Sequence, residues 1–333
     1  MEAVHLFSDA ATGLEAIIAI HNTRLGPALG GCRYQPYASP DLALADAMRL
    51  ARGMSYKAAL AGLPFGGGKT VILRPPHVDN RAALFEAYGR AIESLRGRYI
   101  TATDSGTSNA DMDCIAQQTG HVTSTTAAGD PAPHTALGVL TGIRAAARAK
   151  LGTDSLDGIR ICVQGAGNVG SALVSMLVAE GAEVLVADLD AGKVHLLVEE
   201  CGGQPVVPEA VYETPCDIFA PCGLGGVLNH ESILQLRCAV VAGAANNQLA
   251  DAEAANALDA RGLLYAPDYV INAGGLLHVA LTHQQASPGE IAERVKVIGQ
   301  RLDLIFAESQ AESRSPAVIA DRQAEAILYP EQG

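Results

Sequence analysis

Two lysines in one nearly uncharged segment set the first chemical question. Lys57 and Lys69 stand twelve residues apart in GMSYKAALAGLPFGGGK, which holds no other charged side chain. A lysine held against bare glycine backbone in a poorly solvated pocket has its pKa lowered by desolvation and by a second cation nearby. It then becomes a usable base near neutral pH. One lysine can pair with a carboxylate while the other does proton chemistry, and two ordinary surface lysines fit the same pattern equally well. The run Gly66-Gly67-Gly68-Lys69-Thr70 imitates the end of a phosphate-binding P-loop, but that motif needs glycine six residues before the lysine. Position 63 is leucine, so the match fails. Asp104 lies in ITATDSGTSNADMD, a small, polar, turn-rich stretch after an apolar strand. Alone it reads as a turn residue or helix cap as readily as a catalyst, and Asp111 and Asp113 read as acids in a first helical turn.

A second constellation points to a dinucleotide. The apolar run at 160–164 leads into Gly165-Ala166-Gly167-Asn168-Val169-Gly170 and then a helical pattern to about residue 180. In this strand–turn–helix setting Gly165 permits the tight turn, Gly167 lets backbone approach a pyrophosphate, and Gly170 lets helix and strand pack closely. The helix N-terminus offers free N–H groups to the phosphates. The next apolar run ends at Asp188, eighteen residues after Gly170, and no lysine or arginine follows at 189–191. A carboxylate there holds both ribose hydroxyls of NAD and repels the extra phosphate of NADP.

These residues need a scaffold. The first part of the chain reads as mixed α and β. Strands are expected at 14–20 and 70–73, one helix is started by Ser39 as N-cap with Pro40 behind it, and a second is capped by Asn80. Residues 126–134, TAAGDPAPH, read as a linker or hinge, followed by a helix over 135–150 that ends near Gly152. Beyond it, short apolar runs at 159–163, 183–187, 217–220, 239–242 and 263–266 alternate with helical stretches. This alternation signals a parallel sheet covered on both faces. A long helix carries Ile291, Val295, Ile298, Leu302 and Ile305 on one face.

The fold class expected is therefore α/β in two domains with a cleft between them. A mixed α/β substrate domain over 1–133 precedes a Rossmann-type, doubly wound dinucleotide-binding domain over 134–311. A C-terminal segment of about 312–333 is expected to pack back onto the first domain.

The formal charge of −13, with no Lys/Arg cluster, excludes a nucleic-acid binder that must neutralise phosphates. No apolar stretch reaches membrane-spanning length and no signal peptide opens the chain, so a soluble cytoplasmic enzyme is expected. The seven cysteines form no C-x-x-C pair and no zinc-type spacing, which predicts reduced, buried thiols and no metal site.

The chain also resembles the Glu/Leu/Phe/Val dehydrogenase family, its leucine dehydrogenase branch above all, over about nine-tenths of its length. The matching stretches are LGPALGGCR at 25–33, GMSYKAALAGLPFGGGKTVI at 53–72 and the Asp104 segment. QGAGNVG at 164–170, CDIFAPCGLGG at 216–226, GAANNQL at 243–249 and YAPDYVINAGG at 265–275 also match. The resemblance implies that Lys57 binds the substrate carboxylate. It makes Lys69 the general base that activates water against an iminium intermediate, and Asp104 the proton shuttle to the amino group. It puts Asn247 against substrate and nicotinamide ribose, has Gly31, Gly67 and Asn272 line the site, and sets Arg33 and Thr135 near the cofactor. It places Ala220, Pro221, Ala245 and Asn246 along the adenosine and ribose.

The side-chain pocket implied by the resemblance is Leu29, Ala102, Leu276 and Val279. It carries no charge, against glutamate as substrate. Ala102 resembles the leucine and valine enzymes, whereas Leu276 resembles the phenylalanine enzymes. Asn246 stands where the leucine enzymes carry aspartate, and the N-terminus is shorter than theirs. The activity implied is reversible, NAD-dependent oxidative deamination of a branched-chain aliphatic L-amino acid, in a homo-oligomer (dimer or octamer). A phenylalanine-type enzyme and a catalytically silent NAD-binding protein are the rival readings.

Overall fold

The computed structural model describes residues 1–330, so the last three residues of the expected C-terminal segment lie outside the described residues. The chain divides into two compact units. The first comprises residues 1–130, Val279–Ser287 and 324–330; the second comprises Pro131–His278 and Pro288–Gln323.

The first unit is built on a five-stranded sheet. In chain order it contains β1 (Ala3–Asp9), β2 (Leu14–Asn22), β3 (Ala28–Gln35), α1 (Pro40–Leu60), β4 (Gly66–Leu73), α2 (Arg81–Ser94), β5 (Tyr99–Thr103) and α3 (Asn109–Ala116). The sheet order is β1-β2-β4-β3-β5, with β1 and β2 antiparallel to their neighbours and β3, β4 and β5 mutually parallel. The strand expected at 70–73 starts four residues earlier, at Gly66. Its glycines are strand residues because α1 and the neighbouring strands leave no room there for side chains. Ser39 and Asn80 cap α1 and α2 as their sequences require, accepting from the amides of Leu42 and Ala83.

Both faces of this sheet are covered. On one, Ile18, Ile20, Tyr34, Tyr99, Leu84, Phe85, Tyr88 and Met112 form a core beneath α2 and α3. On the other, Ala43, Ala47 and Ala51 of α1 pack on Ile17, Ala19 and Val71. Alanine at every fourth position presents a smooth helix face, which lets α1 lie close to the sheet.

The second unit begins three residues before the expected helix, with α4 (Ala132–Leu151). Pro131 and Pro133, read from sequence as breakers, instead sit at the helix start, where a missing N–H costs nothing. Then follow β6 (Arg160–Gln164), α5 (Asn168–Ala179), β7 (Glu183–Ala187), α6 (Ala191–Cys201), β8 (Gln204–Pro205), β9 (Ile218–Pro221), α7 (His230–Gln235), β10 (Val240–Val241), α8 (Glu253–Ala260), β11 (Leu264–Tyr265) and α9 (Asp268–Ile271). The chain continues through α10 (Gly274–His283), α11 (Pro288–Glu312) and α12 (Pro316–Leu328). All six strands are parallel, in the order β11-β10-β9-β6-β7-β8. This is a doubly wound Rossmann-type sheet. Its strand order reverses between β6 and β9, where such folds bind ligands at the carboxyl ends of the strands.

All seven cysteines are free thiols. Only Cys32 and Cys162 are fully buried, so the expectation that all would be holds for those two. Among the described residues no helix is long and apolar enough to cross a membrane.

Candidate active site

In the first unit, one sheet face collects most of the predicted residues. Side chains directly paired across parallel strands point to the same side. Leu29 pairs with Gly67 and Ile100, and Gly31 pairs with Ala102. The same register sets Lys69 beside Gly31, with Arg33 next along β3. Alternate residues Cys32, Thr70, Tyr99 and Thr101 point to the opposite side, where the Tyr88 and Tyr99 hydroxyls bond the two threonines.

Lys69 is only 6% exposed. An ammonium group at that depth requires a partner. It has one, because Lys69 Nζ forms an ion pair with Asp104 Oδ2. Lys69, which the resemblance makes the base, is thus itself paired with a carboxylate. Arg33 Nε donates to the same Asp104 oxygen at 3.3 Å. Burial raises the Asp104 pKa, but the charges of Lys69 and Arg33 outweigh it and hold the carboxyl below its ordinary value.

Asp104 is not the helix cap. That role belongs to Ser108, which forms a capping box with Asp111 at the start of α3. Gly31 makes the ion pair possible. A Cβ there would stand 2.7 Å from Thr103 O, 2.8 Å from Asp104 Cβ and 3.4 Å from Lys69 Nζ.

Lys57 is half-buried in the last turn of α1. Ser55, two residues before it, presses on Gly67, two residues before Lys69. A Cβ on Gly67 would lie 2.0 Å from the Ser55 backbone nitrogen. Ser55 Oγ also bonds His21 Nδ1 at 2.9 Å. The end of α1 is held by the C-terminal segment, with Tyr56 Oη donating to Glu325 at 2.5 Å. Of the predicted pocket residues, Leu29 and Ala102 are buried in this unit. Val279, also in this unit, accepts from Thr123 Oγ1 at 3.2 Å through its carbonyl.

In the second unit the glycine turn follows β6 as the motif requires. Gly165 has φ +110°, and a Cβ there would strike Gly223. A Cβ on Gly170 would stand 1.9 Å from Gly165 O. Gly167 is exposed, has open space where a Cβ would stand, and N-caps α5 without a side-chain hydrogen bond. The first-turn amides of α5, from Asn168, Val169 and Gly170 onward, are therefore not claimed by a capping side chain. This suits the pyrophosphate of a dinucleotide. Asp188 follows β7 and accepts from the Ala166 amide. Burial raises its pKa, but the backbone amides of Asp190 and Ala166 outweigh this and bring it below its ordinary value. The residues present fit a nicotinamide dinucleotide.

The other predicted residues of this unit form one constellation. The Ala245 amide donates to Pro221 O at 2.9 Å, at the end of β9 that also carries Ala220. Asn272, 4% exposed, donates through Nδ2 to Ala244 O at 3.0 Å and Asn246 Oδ1 at 2.9 Å. Gln248, fully buried, donates to Gly243 O and Ala245 O. Between these anchors Asn247 is exposed with φ +51°, a conformation uncommon outside glycine that marks a constrained loop. Thr135 lies against the start of α10, where a Cβ on Gly275 would be 2.7 Å from its hydroxyl. Leu276 is buried in the same unit. Sequence reasoning did not find Gln248, Asp46 or Ser55. Their only signal is being polar and buried or half-buried, which a linear sequence does not display.

A family model described as Glu/Leu/Phe/Val dehydrogenase, dimerisation domain, matches residues 3–121, and one described as Glutamate/Leucine/Phenylalanine/Valine dehydrogenase matches residues 191–310. The chain is 47% identical over 328 residues to leucine dehydrogenase of Geobacillus stearothermophilus, covering 97% of this chain and 89% of that protein. It is 45% identical over 331 residues to valine dehydrogenase of Streptomyces albus, covering 97% and 91%. Among solved structures, L-tryptophan dehydrogenase from Nostoc punctiforme is similar with a TM-score of 0.89 and 40% identity, over 98% of this chain and 95% of that one. The chain belongs to the Glu/Leu/Phe/Val dehydrogenase family.

Proposed function

We propose that the protein catalyses the reversible, NAD-dependent oxidative deamination of a branched-chain aliphatic L-amino acid to its 2-oxo acid and ammonia. The observation that carries this reading is the buried ion pair of Lys69 and Asp104 beside Gly31. A catalytically silent dinucleotide binder has no use for such a pair.

NAD, held by the glycine turn 165–170 and by Asp188, supplies a two-electron acceptor for the α-hydrogen of the substrate. Arg33, Thr135, Ala220, Pro221, Ala245, Asn246 and Asn247 complete its contacts. The chain's own residues do the remaining work. Lys57 binds the substrate carboxylate. Asp104, ionised in the resting pair, accepts a proton from the substrate ammonium group, and that uptake weakens its hold on Lys69. With that charge neutralised Lys69 releases its own proton to solvent, and as the free amine it takes a proton from the water that adds to the iminium carbon. The resulting carbinolamine collapses as Asp104 returns its proton to the leaving nitrogen: the C–N bond breaks to release ammonia, and the hydroxyl gives its proton to solvent as the 2-oxo acid forms. A general base so placed contributes on the order of 10²- to 10⁴-fold.

Leu29, Ala102, Leu276, Val279, Gly31, Gly67 and Asn272 line the substrate side. The absence of charge among the four pocket side chains disfavours glutamate, and Ala102 favours leucine, valine or isoleucine. Leu276 favours the phenylalanine-type alternative, and one methylene decides only about 1–3 kcal/mol. A homo-oligomer in the cytoplasm is part of the same reading.

The test is NADH formation from leucine, valine, phenylalanine and glutamate, repeated with NADP. Highest kcat/KM with leucine or valine supports the proposal. Preference for phenylalanine moves the protein to the aromatic reading, and no NADH from any amino acid overturns the enzymatic one.

A further inference from the structure

We infer that Asp46 is a positioning residue for Asp104, acting through Arg33. The inference rests on the reading of Asp104 as the group that handles the substrate's protons.

Arg33 spans two carboxylates. Its Nε donates to Asp104 Oδ2 at 3.3 Å and its Nη1 to Asp46 Oδ2 at 2.9 Å. Lys69 meets that same Asp104 oxygen, so two cations converge on one atom. Asp46 is fixed from other directions. Tyr37 Oη donates to its Oδ2 at 2.7 Å, and Arg49 Nη2 donates to its Oδ1 at 2.8 Å.

A guanidinium is a planar, rigid fork, so holding one nitrogen orients the others. Asp46 on α1 therefore sets the angle from which Arg33, on β3, reaches Asp104. The three side chains are 16%, 17% and 20% exposed for Asp46, Arg33 and Asp104, shielded enough for the geometry to persist rather than average out in solvent. Charge accounting supports the arrangement. Lys69 and Arg33 converge on Asp104, and Asp46, which Arg49 also contacts, keeps Arg33 from acting wholly on Asp104.

The experiment uses the full-length protein with Asp46→Asn, Arg33→Met, the double variant, Tyr37→Phe and Asp46→Glu. Asp46→Asn is expected to lower kcat about tenfold with the amino-acid KM within about twofold, as misplacement of a proton-handling group does. It should leave the thermal midpoint nearly unchanged. In the Arg33→Met background the same change should cost nothing further, because the effect passes through Arg33. Asp46→Glu should restore part of the loss, and Tyr37→Phe should cost less than Asp46→Asn.

A readout independent of turnover is reductive methylation of Lys69 by formaldehyde and cyanoborohydride, followed by peptide mass spectrometry. Loosening Asp104 in Asp46→Asn should speed it several-fold. Unchanged kcat and labelling, additive losses in the double variant, or a fall in kcat that tracks loss of folded protein would each overturn the inference. If the wild type makes no NADH from any amino acid, the proposed function fails while the labelling rates still decide the role of Asp46.

Discussion

Asp188 Oδ2 accepts the amide hydrogen of Ala166 at 2.6 Å, so the carboxylate after β7 is tied directly to the middle of the glycine turn after β6. Its other oxygen accepts from Asp190 N at 2.9 Å. The charge is fixed in place and the group remains ionised through the neutral range. Removing it in Asp188→Ala should weaken NAD about tenfold or more, since hydrogen bonds to a charged group contribute about 1.5–3 kcal/mol. Discrimination against NADP should narrow as well. Fluorescence titration with both reduced cofactors measures the effect, and unchanged cofactor affinities would refute this role for Asp188.

Lys69→Ala should reduce kcat by about 10³-fold or more, the upper part of the range for a general base. NADH binding, for which the glycine turn 165–170 and Asp188 are proposed, should persist. Single-turnover kinetics beside NADH titration separates the two, and wild-type turnover would remove Lys69 as the base.

Gly31→Ala should separate the ion pair while leaving both of its residues in the sequence. The added methyl would sit 2.7 Å from Thr103 O and 2.8 Å from Asp104 Cβ, both closer than real carbon contacts permit. Misplacement of reacting groups by about 1 Å costs about 100-fold in rate. A crystal structure of the variant with its kcat provides the check. Unaltered kcat would show that the Lys69–Asp104 spacing does not govern the chemistry.

His21 predicts a pH dependence of stability. Burial, aided by the charge of Arg52, pushes its pKa down to about 4. The unfolded chain binds this proton near pH 6.5, with the ordinary value of histidine. Between these limits the unfolded state carries more protons, so stability is complete above about pH 6.5 and falls as the pH drops toward 4. His21→Gln should flatten that decline. Urea melts at neutral and acidic pH would show it, and parallel declines in variant and wild type would exclude His21 as a contributor.

The sequence made some parts of this protein plain and others invisible, for physical reasons. Ser39, Asn80 and Gly165 act within a few residues of themselves, so their caps and turn could be read locally. Five of the second unit's six strands were legible because each is a short apolar run, whereas exposed β8, Gln204–Pro205, carries no such signal. β3 was not, because ALGGCRYQ shows neither an apolar run nor clear alternation. Its glycines answer to neighbours such as Gly68 and Asp104 that lie distant in the chain. Lys69 and Asp104 were each singled out, but their pairing depends on the register of β3, β4 and β5, and no local spacing encodes that. The Arg33–Asp46 contact was hidden for the same reason.

The return of residues 324–330 to the first unit bears on how the molecule is made. Tyr56 meets Glu325 across 269 positions, and Tyr329 Oη lies 3.4 Å from His21 Nε2 across 308. During synthesis all five strands of the N-terminal sheet leave the ribosome first, but these contacts on the end of α1 and on His21 form only when the last residues emerge. Such distant closures are slow and leave partly covered surfaces exposed. C-terminal truncation would therefore leave Tyr56 and His21 without Glu325 and Tyr329, and so leave that edge of the first unit uncovered.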